Sequence, residues 1–453
     1  MDFRQFYLGC LSHASYYVGS GGAAAIIDPQ RDVEQYIEEA ASHGHTIKYV
    51  IETHSHADFV SGHVELAART GARIVYGERA NTKFETLKVR DGDVLNVGDV
   101  KLTFRETPGH TPEGITIIAE EGGAPPKVFT GDTLFIGDVG RPDLIGSKGF
   151  TSEEMAAMLY DSLYEKILPL PDTAEIYPAH GAGSLCGKSL SKETWSTLGE
   201  QRKFNYALQP MSREEFVKIV AAGQTAVPQY FPKSAARNLE GSPSLDEIPA
   251  PRVLTTDEVL AFDGVVIDVR KNFEYGAGHV PNSINIGLGG QFASWAGTLV
   301  PIGTPTAIVA TTREQVDEAV MRLARVGHET VSGFILFENY VGDQDAVEQV
   351  SVSDANEYVS SGRNAQFIDV RRQGEYESGH APGADSRPLD TLERHLDNLD
   401  PATPTYVICQ GGYRSSIACG ILENAGFNEL YNVTGGTAAW IEAELPVETE
   451  TGS

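Results

Sequence analysis

Apolar residues in the first half of the chain fall in short runs separated by Gly- and Pro-rich turns. Residues 16–18, 23–27, 49–51, 74–76, 100–104, 115–119 and 128–129 read as strands. Helical spacing interrupts them at 33–42 and 64–70. Strands alternating with helices predict a layered α/β fold. The stretch 234–252, with Pro243, Pro249 and Pro251, reads as a linker that closes a first block near residue 245.

The second half repeats itself. Val266-Ile267-Asp268-Val269-Arg270 returns as Phe367-Ile368-Asp369-Val370-Arg371, and Gly278-His279-Val280-Pro281 as Gly379-His380-Ala381-Pro382. Asp268 to Asp369 and His279 to His380 are both steps of 101 residues, so two α/β units of one kind follow each other. They span 252–345 and 351–448.

Composition narrows the picture. A chain of 453 residues makes two to four domains. A formal charge of −28 argues against nucleic acid or an anionic membrane as a partner. No apolar stretch is long enough to span a bilayer, and Met1–Gln5 does not open a secretion signal. Four cysteines, Cys10, Cys186, Cys409 and Cys419, are too few for a disulfide scaffold, so a reducing cytoplasm is expected.

Two places carry chemistry. After the apolar run 406–408 come Cys409, Gln410, Gly411, Gly412, Tyr413 and Arg414. A thiol at a strand end, followed by a tight loop and a helix starting near Ser415, meets loop N–H groups and the positive helix end. Arg414 adds fixed positive charge for a bound sulfur oxyanion or persulfide. Four residues separate Cys409 from Arg414, one fewer than a Cys-based phosphatase uses to enclose phosphate. Cys419, on the following helix, reads as core. The earlier repeat has Ala310-Thr311-Thr312-Arg313 at this place, with no thiol and a loop two residues shorter.

The second place is scattered. His54, His56 and Asp58 follow a strand at 47–52; residues two apart on extended backbone point the same way. His110 lies in the turn 107–111, Asp132 at the end of 128–131, and His180 after 177–179. This ordered set resembles the metallo-β-lactamase fold, and Phe59 is its informative departure. Dinuclear hydrolases of that fold, such as the glyoxalase II type, have a histidine there that ligates a second metal.

The resemblance then implies one Fe(II) per chain, held by His54, His110 and Asp132, with Zn as the alternative. By the same resemblance His56, Asp58 and His180 orient ligands or substrate. The run 135–143 resembles the loop beside the metal in persulfide dioxygenases; there Arg141 either balances a persulfide anion or pairs with Asp143. The stretches 57–63 and 181–187 resemble the bacterial branch fused to rhodanese domains. Cys186 is either a thiol in the cleft or a small buried hydrophobe. The Cys409 loop, with Asp369, Arg371, Glu375 and Trp440, resembles the rhodanese active loop.

The expected architecture is therefore an αββα metallo-β-lactamase sandwich (1–245), a Cys-less rhodanese-like α/β domain (252–345) and an active one (351–448). The implied reactants are a low-molecular-weight thiol persulfide, O2, sulfite and thiosulfate. Related fusions suggest a homo-oligomer, dimer or tetramer. Rival readings are a Zn-dependent thioester hydrolase and a non-catalytic sulfane-sulfur carrier.

Overall fold

In the computed structural model, residues 1–144, 149–188, 190–224 and 226–449 are described. They form two compact units: Met1–Ile248 with Ala324–Gly327, and Pro249–Leu323 with His328–Ser453.

The first unit holds two six-stranded sheets. One runs Asp2–Leu8, His13–Ser20, Ala23–Ile27, Thr46–Ile51, Arg73–Gly77, Leu87–Val89, each strand beside the next. The other is ordered Ser196–Thr197, Glu175–Pro178, Lys127–Gly131, Ile115–Glu120, Val100–Glu106, Val94–Val97. Neighbouring residues explain the unbroken apolar runs, because side chains alternate across a strand. Ile27, Ile51, Ile117 and Phe129 fill the layer between the sheets. Ile26 and Val50 face outward, onto Tyr36 and Leu66 of helices Glu34–Ser42 and His63–Thr70. Ile118 and Val128 face out on the other side, onto Leu159 of helix Ser152–Ser162 and Phe216 of helix Arg213–Ala221. Helix, sheet, sheet, helix is the αββα sandwich.

One sequence expectation fails here. Much of 234–252 is not linker: Phe231–Glu240 is a helix with Pro232 in its first turn, where a missing N–H costs nothing. Its residues Ser234 and Asn238 are buried.

The second unit contains two parallel five-stranded sheets. The first is ordered Arg252–Val253, Val331–Leu336, Thr306–Ala310, Val265–Asp268, Ser283–Asn285; the second Glu348–Val350, Leu430–Val433, Thr405–Ile408, Gln366–Asp369, Asp385–Ser386. Numbered along the chain, both read 1-5-4-2-3, so the sequence repeat is a repeat of topology. The recurring motifs are structural. Arg270 chelates Asp268 and donates to the Gly278 carbonyl at 2.9 Å; Arg371 does the same with Asp369 and Gly379 at 2.8 Å. His279 and His380 each donate from Nδ1 to the carbonyl of Tyr275 and Tyr376, both at 2.9 Å. One apolar cluster runs through both repeats, from Ile267 and Ile308 to Val407 and Cys419. Cys419 is core, as its helical position suggested. Among the described residues no helix is long and apolar enough to cross a membrane.

Candidate metal centre and thiol loop

His54 follows strand Thr46–Ile51, His110 sits in the turn before strand Ile115–Glu120, and Asp132 ends strand Lys127–Gly131. All three are buried, and their ligand atoms lie within 4.8 Å of one another. His110 Nε2 is 3.3 Å and His54 Nε2 3.8 Å from Asp132 Oδ2.

The hydrogen bonds fix both tautomers. His110 Nδ1 donates to the Arg141 carbonyl at 2.9 Å, since a carbonyl only accepts. Thr53 Oγ1 gives its hydrogen to Asp28 Oδ2 at 2.8 Å, so His54 Nδ1 must donate to Thr53 Oγ1 at 3.0 Å. Each Nε2 therefore presents a lone pair to a carboxylate. Burial and the neighbouring histidines hold the His54 pKa well below the ordinary histidine value; burial also lowers that of His110. Among the described residues, His54 Nε2 and both Asp132 carboxylate oxygens have no hydrogen-bond partner. Buried acceptors converging without a donor suit a cation. Gly140 lets the following loop close over this point: a Cβ there would lie 2.0 Å from the Asp132 carbonyl.

His56 is not turned to the same centre, because the backbone after Thr53 is loop and the alternation of a strand does not continue. Its Nε2 lies 3.1 Å from Asp28 Oδ1 and 3.5 Å from Glu52 Oε2. Burial works against its charge, but the two carboxylates outweigh it and raise its pKa to about 9. Phe59, 1% exposed, packs its ring 4.0 Å from that of His13 and 4.5 Å from that of His56.

On the far side of Asp132, His180 Nε2 is 3.6 Å from Asp132 Oδ1 and 3.4 Å from Asp58 Oδ2. Cys186 belongs to this side: its Sγ lies within 4.8 Å of ligand atoms of Asp132 and His180, and burial pushes its pKa well up. Cys186 is thus buried beside Asp132 and His180. Arg141 takes the other course: Asp143 chelates it at 2.6 and 2.7 Å, and it donates to the Leu185 carbonyl. Its charge is already spent on Asp143, two residues away. His13 is a residue the sequence reading missed. It is fully buried, its ring lies 5.5 Å from that of His180, and among the described residues neither of its nitrogens has a hydrogen-bond partner. A lone histidine on an apolar strand gives no signal of this.

In the second unit, Cys409 follows strand Thr405–Ile408, and helix Tyr413–Asn424 begins two residues earlier than the sequence suggested. Gly412, at φ +93°, is its N-cap; that conformation favours glycine and turns the Gly412 N–H onto Cys409 Sγ at 3.1 Å. Of the loop residues Gln410, Gly411, Gly412 and Tyr413, Gly412 supplies this contact. Gln410 helps to fix the loop by accepting at its carbonyl from Ala438 N–H, and Gly411 lies beneath Gly436. Tyr413 donates from its hydroxyl to the Gly287 carbonyl at 2.8 Å. Ser415 Oγ, 3.3 Å from Sγ, gives its hydrogen to Asn432.

Arg414 is chelated by Glu375, both contacts 2.7 Å, rather than standing free. Although burial disfavours its charge, Glu375 is held below the usual carboxylate range by Arg414 and Arg372. Arg414 is the cation whose charge couples to Cys409, and Arg372 meets Glu375 through its backbone N–H at 3.1 Å. Arg372 was not singled out in the sequence, where it follows the conspicuous Asp369 and Arg371.

Comparison with known proteins matches this geometry. Residues 8–180 match the metallo-β-lactamase superfamily, and 255–334 and 351–443 the rhodanese-like domain. The mitochondrial persulfide dioxygenase ETHE1 of Homo sapiens is 33% identical over 222 residues, 48% of this chain and 78% of that protein. A hydroxyacylglutathione hydrolase of Rhodopseudomonas palustris (strain BisA53) is 30% identical over 220 residues, 48% of this chain and 77% of its own. The crystal structure of a metallo-β-lactamase from Staphylococcus aureus subsp. aureus COL is 33% identical, with a TM-score of 0.69, covering 74% of this chain and 99% of its own.

Proposed function

From the premise that the chain belongs to the metallo-β-lactamase superfamily, with two rhodanese-like domains behind that fold, we propose that it couples a persulfide dioxygenase to a sulfurtransferase. The overall first reaction is RSSH + O2 + H2O giving RSH, sulfite and two protons. The observation that carries this reading is the two-histidine, one-carboxylate set His54, His110 and Asp132, beside a His56 committed to Asp28 and a Phe59 that ligates nothing. Two histidines and one carboxylate with open positions suit non-haem Fe(II), which when bound supplies the dioxygen chemistry that side chains lack.

The protein's own groups do the rest. The Arg141 carbonyl and Thr53 hold the ligand histidines in the tautomer that exposes Nε2. Asp58, His180 and Cys186, around the other oxygen of Asp132, are placed to orient the persulfide. In the second unit the Cys409 thiolate attacks the outer sulfur of a persulfide. The S–S bond breaks, thiol leaves, and Cys409 carries the sulfur as a persulfide. Sulfite then attacks that outer sulfur, thiosulfate departs, and the Cys409 thiolate returns. The Gly412 N–H and the Arg414 guanidinium steady the anions. The same steps run backward would feed persulfide from thiosulfate to the first unit. A cytoplasmic location and a homo-oligomer belong to the same proposal, to be read by fractionation and sizing.

The test is oxygen uptake with a thiol persulfide. His110→Ala should abolish it; preserved uptake would remove His110 from the site. A second reading, a zinc thioester hydrolase, draws on the hydroxyacylglutathione hydrolase relatives and on the approach of His56, Asp58 and His180 ligand atoms. Phe59→His discriminates. Under the dioxygenase reading it adds a metal position with Asp58 and His180, shifts bound metal toward zinc and lowers uptake. Unchanged metal content and rate would show that Phe59 does not keep the site mononuclear.

A further inference from the structure

Of the loop that leaves strand Thr46–Ile51, only His54 reaches the metal set. His56 is drawn to Asp28, Phe59 is apolar, and Asp58 faces His180. A ligand loop tied to its metal at one residue needs its backbone fixed by something else. The geometry assigns that task to Asn238, and we propose that it is the positioning residue of the metal loop, an inference resting on the reading that His54, His110 and Asp132 hold the metal.

Asn238 lies on helix Phe231–Glu240 and is fully buried. Its Nδ2 donates to the His56 carbonyl and to the Phe59 carbonyl, both at 2.8 Å, while its Oδ1 accepts from the Ser61 N–H at 2.8 Å. Two carbonyls and one N–H in a dry interior must all be paired, and a carboxamide offers two donors and an acceptor. Aspartate would set an acceptor against both carbonyls; alanine would leave all three groups orphaned. The clamp is itself anchored. Tyr76 donates from its hydroxyl to the Asn238 carbonyl at 3.2 Å, and Lys83 N–H donates to the Leu239 carbonyl at 2.7 Å. Beyond the clamp, Ser61 Oγ also donates to Glu52, the carboxylate that faces His56. One side chain therefore ties three points of the loop to a helix braced against the rest of the sandwich.

The experiment uses the full chain with Asn238→Ala and Asn238→Asp. Ferrous ion is titrated against a chromogenic chelator, and the nitrosyl adduct of the ferrous protein is recorded by electron paramagnetic resonance. Cys409-dependent sulfur transfer, in the other unit, reports that the chain has folded. The proposal expects affinity to fall about 10- to 100-fold, as for other groups that orient metal ligands. It also expects an altered nitrosyl signal, the larger loss in Asn238→Asp, and unchanged sulfur transfer. Wild-type affinity and signal in a folded variant would overturn it. Should both variants fail to fold, hydrogen exchange in the unmutated chain decides. The Ser61 amide should stay protected after the metal is chelated; exchange at the unprotected rate would overturn the clamp. His54→Ala separates the two claims, since undiminished iron binding there contradicts the metal assignment itself, whatever Asn238 does.

Discussion

The two rhodanese-like repeats share a frame and differ at one loop. Both order their strands 1-5-4-2-3, both lock an Asp–Arg pair onto a glycine carbonyl, and both tie a histidine back to a tyrosine carbonyl. In the later repeat the frame carries Cys409, a loop of four residues and a helix whose N-cap Gly412 points its N–H at sulfur. In the earlier one it carries Ala310 and Thr311-Thr312, and Gln315 Oε1 accepts from the Thr311 N–H at 2.8 Å. A side chain thus takes up backbone N–H capacity that the Cys409 loop directs at its thiol. The fold does not depend on the thiol, because the recurring motifs that brace the sheet stand in both repeats while the thiol and its longer loop stand in one.

Five substitutions can break or sharpen that contrast. Cys409→Ser should have the largest effect: thiosulfate formation from persulfide and sulfite falls by roughly three orders of magnitude or more, as when a nucleophile is removed. Persulfide-dependent oxygen uptake should continue, with sulfite accumulating. Retained sulfur transfer above the uncatalysed background would end the assignment of Cys409. Next, Asp369→Ala and Asp268→Ala each strand a buried arginine and should destabilise the second unit by about 3–5 kcal/mol in denaturant unfolding. If only Asp369 mattered, the claim that the motif is structural in both repeats would fail. Arg414→Gln removes a charge-assisted pair, worth about 1.5–3 kcal/mol when made to a charged group. It should raise the KM for sulfite roughly tenfold, at 1.4 kcal/mol per decade, and an unmoved KM would place the anion elsewhere. Smallest is Ala310→Cys. It should restore no sulfur transfer in the Cys409→Ser background, because a thiol on a two-residue loop lacks the cradle; measurable turnover would show that sulfur alone suffices.

The same separation explains what was legible from sequence. Buried strands announce themselves by composition, and Ile26–Ile27 or Ile117–Ile118 read as strand because each neighbour faces a different apolar layer. His54, His110 and Asp132 were readable as a candidate set because each ends or follows such a strand. Helix Phe231–Glu240 was hidden because much of what it buries is polar: Asn238 earns its place by hydrogen bonds that leave no apolar period. Arg414 was legible as a charge but not as a chelated charge, while the pairing of Arg141 with Asp143 was one of two open readings. Asp143 is a sequence neighbour whose geometry depends on the turn, and Glu375 lies 39 residues from Arg414. His13 stands alone in sequence and acquires its neighbours only through folding.

The central claim is that one set of ligands holds one iron and turns persulfide and O2 into sulfite. Metal content and oxygen uptake measured on the same preparation, purified without added metal, test it most directly. The account predicts one Fe per chain, and one O2 consumed per sulfite formed when thiol persulfide is added to Cys409→Ser. Two Zn per chain, with no persulfide-dependent uptake, would contradict it.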